Sequence, residues 1–558
     1  MTAHVVPPRF APPCRATTRP VIDQATAERS GKLRILLALS FALLLLPPAL
    51  APIPPLWDYP NHLARLWLLG GGGDLPTVAG WYRITWDSLT NVALDALAAQ
   101  IVPWIGYMAS GRLLVTAAIV LPPLGGVVLW RTLHGRWHPW LLAFVPLAWS
   151  TTLIGGFLNF QVGIGLALLA AAADTPLSRR AGPWWPLLRA VPAAALIGVH
   201  LFGFIFYAGL LAGLTIGPKL TDPARTCRRL ALLAISLAVP GAAFLLAARN
   251  LPGAQVGANP TTLLTDFIEG WSGLATDPIG KLQRLVLAVT TYSKPAAVLT
   301  VSTIMATVAL SATLRRRTIH AGMLLAAGGF ALCYLLVPAR LGGTYWIDAR
   351  FAMMTPLAAM VALRPDLPPL SSRIVTALLF AVACLNTAIV AETWQARQTD
   401  VAALAEVLQY AEPGHAILPL QQRRSDYATM PQGRIALLGG SSFRHLPTLA
   451  LPWRHDFVPT LFAARGKQPV QVTDAMLASA EPEGGELADE AVLRSPEMMA
   501  SELPYAPYLR NWREHFDYVL VVDADGFSAD PKLGDADGLA LIADSGFARL
   551  YRPVGKGP

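Results

Sequence analysis

Long apolar runs separated by short basic stretches fill the chain as far as Glu392, where the pattern changes abruptly. The runs lie at 33–52, 104–130, 139–155, 157–173, 191–217, 231–248, 295–314, 319–338, 351–363 and 374–391. A helix crossing the hydrocarbon core needs about 20 residues, so the shorter runs predict tilted or broken helices held among neighbours. The run 191–217 carries a basic loop on both flanks, which a single crossing would place on opposite faces. It is expected instead as a hairpin of two helices, 191–201 and 203–217, meeting near His200–Gly203. With that hairpin the count is about eleven membrane segments.

Beyond Glu392 the apolar stretches are short and punctuated by turn residues. Ala416–Leu420, Ile435–Leu438, Phe457–Phe462 and Tyr518–Val522 read as strands, and Val401–Tyr410 and Gly538–Ser545 as helices. The alternation predicts a small α/β domain. The expected organisation is thus a disordered basic tail at 1–32, a transmembrane domain at 33–391 and a soluble α/β domain at 392–558. The fold class is an α-helical polytopic membrane protein with a C-terminal extracytoplasmic α/β domain.

Composition agrees with lipid as the main solvent. Charged residues make up 14% and hydrophobic ones 54%, with a mean hydropathy of +0.46. The net charge of +9 averages two unlike parts: from Glu392 onward the balance is −7, and before it +16. The basic loops 1–34, 131–136, 179–189, 219–229, 315–317 and 364–373 hold 20 Lys and Arg, whereas 53–103, 249–294 and 339–350 hold eight. Positively charged loops stay on the cytoplasmic side. This puts the N-terminus inside and the soluble domain outside, as in a multi-pass bacterial inner-membrane protein. It also accounts for the basic charge without nucleic acid. The four cysteines, Cys14, Cys227, Cys333 and Cys384, form no disulfide framework or CxxC site.

The densest candidate chemistry follows the first span, in Pro54-Pro55-Leu56-Trp57-Asp58-Tyr59-Pro60-Asn61-His62-Leu63-Ala64-Arg65. Pro60 suits the first turn of a helix, His62 and Arg65 share one face, and Asp58 stands at the positive helix end. Asp58 can take an acceptor proton. Helix capping is the alternative role for Asp58. A second cluster, Tyr345-Trp346-Ile347-Asp348-Ala349-Arg350-Phe351, places a guanidinium where a leaving phosphate can be stabilised. The alternatives there are an interfacial anchor for Arg350 and an Asp348–Arg350 ion pair. Asn159 falls at a tight turn. Asp523-Ala524-Asp525, a DxD after an apolar strand, reads as a solvated strand end, with a metal-holding role as the alternative. Trp81, Trp86 and Trp104 read as an aromatic belt, and 260–294, with Trp271, Lys281 and Arg284, as amphipathic surface helices.

The first outer loop resembles that of the GT-C superfamily of membrane glycosyltransferases. The similarity extends to Gly155-Gly156-Phe157-Leu158-Asn159-Phe160, to the helix break at His200, to the Arg350 segment and to the many-spans-then-outer-domain layout. The resemblance implies transfer of a sugar from a polyprenyl-phosphate-linked donor to an envelope glycan, lipid or protein acceptor. It implies catalytic roles for Asp58 and His62 and substrate-binding roles for Arg65, Asn159, His200, Asp348 and Arg350. The chain departs from the family in having Tyr59 and Pro60 where a second acidic residue is common. One carboxylate and one His make a poor hard-cation site, which speaks against a tightly bound divalent metal.

Other readings are a transporter or flippase for lipid-linked glycans, a polymerase or ligase, and a non-catalytic assembly protein. Coupled transporters place carboxylates within their spans, and none falls inside a predicted span here. For the hairpin, Leu201→Cys or Phe202→Cys is expected to react with an impermeant thiol reagent from the outer side. Reaction from the cytoplasmic side alone overturns it.

Overall fold

The computed structural model describes residues 24–217, 223–250, 264–265, 268, 278–286, 292–341, 344–436 and 440–555. Most of the 1–32 tail, Trp271 and Cys14 therefore lie outside the described residues. Among the described residues, six helical stretches are long and apolar enough to cross a membrane. They correspond to α1 (Gln24–Leu43, continued by Leu46–Leu50), α4 (Tyr107–His134), α5 (Leu158–Ala181), α8 (Pro223–Asn250), α10 (Lys294–Thr313) and α13 (Pro369–Ala396, continued by α14, Gln398–Leu408). Shorter helices occupy the remaining predicted runs: Pro139–Ile154, α6 (Trp185–Val199), α7 (Leu201–Ile216), α11 (Ala321–Leu336) and α12 (Ile347–Ala362). Two further helices are α2 (Tyr59–Leu69) and α3 (Ala93–Ile105), and α9 (Pro278–Val286) falls in the stretch read as amphipathic.

Packing explains why short helices suffice. Gly125 and Gly165 let α4 and α5 touch backbone to backbone, where any Cβ would collide. Asn386 of α13 donates to Thr300 Oγ1 of α10 at 2.9 Å, and Trp149 Nε1 to Thr387 Oγ1 at 3.1 Å. These bonds join helices where water is scarce. α8 turns Ile235, Val239, Leu245 and Leu246 outward, a face suited to lipid. The 191–217 run breaks at His200, which leaves the helical region at φ −171° and accepts from Phe202 N–H. The first of its two helices begins earlier than expected, at Trp185. α5 runs past the expected end, so Asp174 belongs to a long apolar helix, paired with Arg189 at 2.7 Å.

The C-terminal region builds a four-stranded sheet from β2 (Ile417–Gln421), β4 (Tyr518–Val522), β5 (Leu539–Asp544) and β6 (Ala548–Pro553), in the order β5-β6-β4-β2. β4 and β2 run parallel and the other pairs antiparallel. Every residue of β4 is buried, as a central strand covered on both faces requires. Two expectations fail here. Gly538–Ser545 is the edge strand β5 and not a helix, because Gly538 turns the chain at φ +67° and the strand then pairs with β6. Phe457–Phe462 forms no strand; Pro459 lacks a ladder donor, and only Phe457 bridges to Ala416. Ile435–Leu438 is strand only at Ile435–Ala436, with 437–439 outside the described residues.

The sheet does not stand apart from the bundle. β1 (Tyr82–Ile84), in the loop after α2, pairs antiparallel with β3 (Val470–Val472). α2 is buried along nearly its whole length. Leu63 joins the core that fills the bundle, whereas Ala64 and Leu68 join the core under the sheet. Its N-terminus rests on Gly156, which sits at φ +81° and where a Cβ would lie 2.6 Å from the Asp58 backbone nitrogen. Gly156→Ala should therefore cost about 1–3 kcal/mol of stability. Thermal melting of the purified variant checks this, and an unchanged melting temperature contradicts it.

Candidate functional site

Asp58 occupies the N-cap position of α2, with Pro60 in the first turn as expected. Its side chain makes no capping hydrogen bond, so the carboxylate is free for other partners. Only 19% of that side chain is exposed. Burial pushes its pKa up to about 7, against the pull of Arg444, Arg350 and Arg65. Asp58 Oδ1 lies 3.7 Å from His445 Nε2, and burial, reinforced by Arg444, keeps that imidazole neutral.

His62 and Arg65 stand behind Asp58. Arg65 Nη2 donates to His62 Nδ1 at 2.9 Å, so Nε2 carries the proton and donates to the Gly156 carbonyl at 3.2 Å. Both ring nitrogens are committed. Burial, then the Arg65 charge, lowers the His62 pKa to about 3. Arg65 Nε completes the chain with a buried 3.0 Å ion pair to Asp95 of α3. This relay fixes α2 against α3 and the Gly156 turn.

Arg350, one turn into α12, lies between the rings of Phe157 and Phe202, at 5.0 and 5.1 Å from their centroids. Its Nη1 donates to the Tyr345 carbonyl at 3.0 Å, and it is within electrostatic reach of Asp58. Asp348 does not pair with it; Asp348 lies 3.4 Å from Lys281 of α9. His200 borders the Arg350 site, packed edge-on to Phe160. Asn159 donates to the Asn91 carbonyl at 3.2 Å and so anchors a loop. The structure thus gathers Asp58 and Arg350 with His200 beside them. His62, Arg65, Asp348 and Asn159 sit in the surrounding support.

Trp57, Trp346, Arg444 and His445 also line the site, and the sequence reading gives them no role. Trp346 precedes α12 in the left-handed region at φ +61°, an uncommon conformation for a bulky residue. It meets Trp57 edge-on at 5.2 Å and Phe157 at 6.1 Å. Arg444 stacks 5.1 Å from the Trp57 ring and pairs with Glu486 of the acidic 481–490 loop. Arg444 and His445 form an Arg-His pair in a turn-rich segment, the one local hint in the sequence. Asp525 is an exposed strand end as expected, but Asp523 is buried: Arg434 donates to Asp523 at 2.8 Å and also to Asp525 and Asp400, and Arg424 pairs with Asp523. Among the described residues no three His, Cys, Asp or Glu side chains converge as metal ligands. Asp58, ringed by guanidiniums, is a poor fit for a divalent cation.

No family model matches the chain, and no curated protein matches it. Among solved structures, the chain is similar to the crystal structure of ArnT from Cupriavidus metallidurans in the apo state. The match covers 95% of this chain and 100% of that one, with a TM-score of 0.50 and 12% identity. The chain shares the ArnT-like polytopic membrane fold. In this chain the bundle supplies Asp58 and Arg350, and the sheet domain supplies Arg444 and His445. Arg65→Ala would strand Asp95 in the interior at a cost of about 3–5 kcal/mol. The measurement is thermal melting, with Arg65→Ala/Asp95→Ala expected to recover part of the loss. A single variant that melts like wild type refutes the relay's structural role.

Proposed function

We propose that this protein is a membrane glycosyltransferase acting on the outer face of the bacterial inner membrane. It transfers a sugar from a polyprenyl-phosphate-linked donor to an envelope glycan, lipid or protein acceptor. The observation that carries this reading is the largely buried Asp58 carboxyl, its pKa raised to about 7, within electrostatic reach of the Arg350 guanidinium in a bundle that shares the ArnT fold. The apo ArnT structure supplies the fold; the site geometry supports the chemistry.

In this scheme Asp58 accepts the proton of the attacking acceptor hydroxyl. The new bond forms between that oxygen and the anomeric carbon while the bond from that carbon to the phosphate oxygen breaks. The electron pair stays on the phosphate, where Arg350 holds the developing charge by charge-assisted hydrogen bonds. His62, with both nitrogens engaged, positions Asp58 through the Gly156 turn. His200 borders the phosphate site, and Asp348, Asn159 and Arg65 hold its walls. The domains act as one unit, with the basic tail 1–32 inside and the region beyond Glu392 outside.

Ionised Asp58 is the active form, so transfer should fall as external pH drops through about 7. The same raised pKa means that ionisation works against the fold: stability is fullest below the ordinary carboxylate value and declines as pH rises through about 7. Asp58→Asn should therefore abolish transfer yet melt at a higher temperature than wild type at pH 8. Envelope glycans and accumulated lipid-linked sugars, compared in cells with wild type, Asp58→Asn or no protein, check the first. Full transfer by Asp58→Asn overturns the assignment of the base.

A further inference from the structure

We propose that the sheet domain completes the donor site: Arg444 joins Arg350 as a second phosphate ligand at Asp58, and Glu486 holds its place until the lipid-linked phosphate enters. This rests on the reading of the site as one for a polyprenyl-phosphate donor.

Arg350 and Arg444 come from different parts of the chain, the first from α12 and the second from the turn before Leu446–Leu449. Both act on the Asp58 carboxylate, as Arg65 does, but Arg65 has Asp95 as a partner of its own, which leaves two guanidiniums to share one acid. Its donors are also in surplus. Arg350 Nε, Arg444 Nε and Trp57 Nε1 are buried and have no hydrogen-bond partner among the described residues. Buried donors are nearly always paired, so three of them on Trp57, next to Asp58 in the chain, and on two arginines that act on Asp58 mark a site short of acceptor oxygens. A phosphate brings several such oxygens and a charge of the right sign, and guanidinium binds it in a two-pronged geometry.

Arg444 is built in rather than draped over the surface. Its side chain is 15% exposed, it lies against the Trp57 ring, and Gly440 leaves room for that ring where a Cβ would collide with it. Glu486 is the opposite case, with a side chain 75% exposed. An ion pair with so exposed a partner contributes about 0–1 kcal/mol, which a phosphate held by two guanidiniums outweighs. The acidic loop then turns away from Arg444 as the donor phosphate takes its position.

The test is binding of a polyprenyl monophosphate to the full-length protein in nanodiscs, with inorganic phosphate as a parallel probe. Arg444→Ala should weaken polyprenyl phosphate binding about tenfold or more, the loss of one charge-assisted contact. Arg444→Lys should recover part of it. Glu486→Gln should tighten binding in the wild-type background and do nothing in Arg444→Ala. If Arg444→Ala fails to fold, Glu486→Gln carries the test alone, and unchanged affinity overturns the proposal. Unchanged affinity in folded Arg444→Ala overturns the role of Arg444 and leaves the transferase reading standing. No binding to wild type removes both. Equal binding of inorganic phosphate, with the same dependence on Arg444, overturns the donor assignment in favour of free phosphate.

Discussion

A carboxylate stripped of most of its water keeps its charge only if cations offset the lost hydration. Asp58 is held in that balance, with burial opposed by Arg444, Arg350 and Arg65. Each of these arginines is fixed by something else: Arg65 by Asp95, Arg350 by two aromatic rings and the Tyr345 carbonyl, Arg444 by Trp57 and Glu486. The helix bundle, the loop helix α2 and the sheet domain therefore meet around one acid. A base with a pKa near the working pH suits proton transfer, since it is available and still basic enough to act. The environment that tunes it is also the one that costs stability.

Much of the architecture was legible in the sequence because lipid imposes a simple constraint: backbone groups must be satisfied within each apolar segment, so apolar runs report helices. Every predicted run carries a helix, and the break at His200 followed from the basic loops on either side. The small domain was less readable. Gly538–Ser545 has the Ala and Leu of a helix, but its partner strand decided otherwise, and Phe457–Phe462 looked like a strand until Pro459 denied it a ladder. Pairing across a sheet depends on residues far apart in sequence, and local pattern cannot see them.

The site divides in the same way. Asp58 and Arg350 stand out because each sits in a short motif beside a span. Arg444 and His445 carry no such mark, since they reach Asp58 only through a turn from a distant part of the chain. The sharing of core residues between bundle and sheet explains why the region beyond Glu392 is no simple appendage. Asp523 and Asp525 show the converse: a motif that looks chemical in sequence is neutralised by Arg424 and Arg434 once the sheet forms.

The hydrogen bond from Phe462 N–H to Asn61 Oδ1 joins residues 401 apart in the chain. At translation rates of about 5–20 residues per second, the loop helix waits about 20–80 s for that partner to be made. Throughout this interval the first span has been handed to the membrane while its carboxylate lacks the guanidinium and imidazole of the later domain. The newborn chain thus lacks the full set of groups around Asp58, and the set closes only when the last third of the protein has been made.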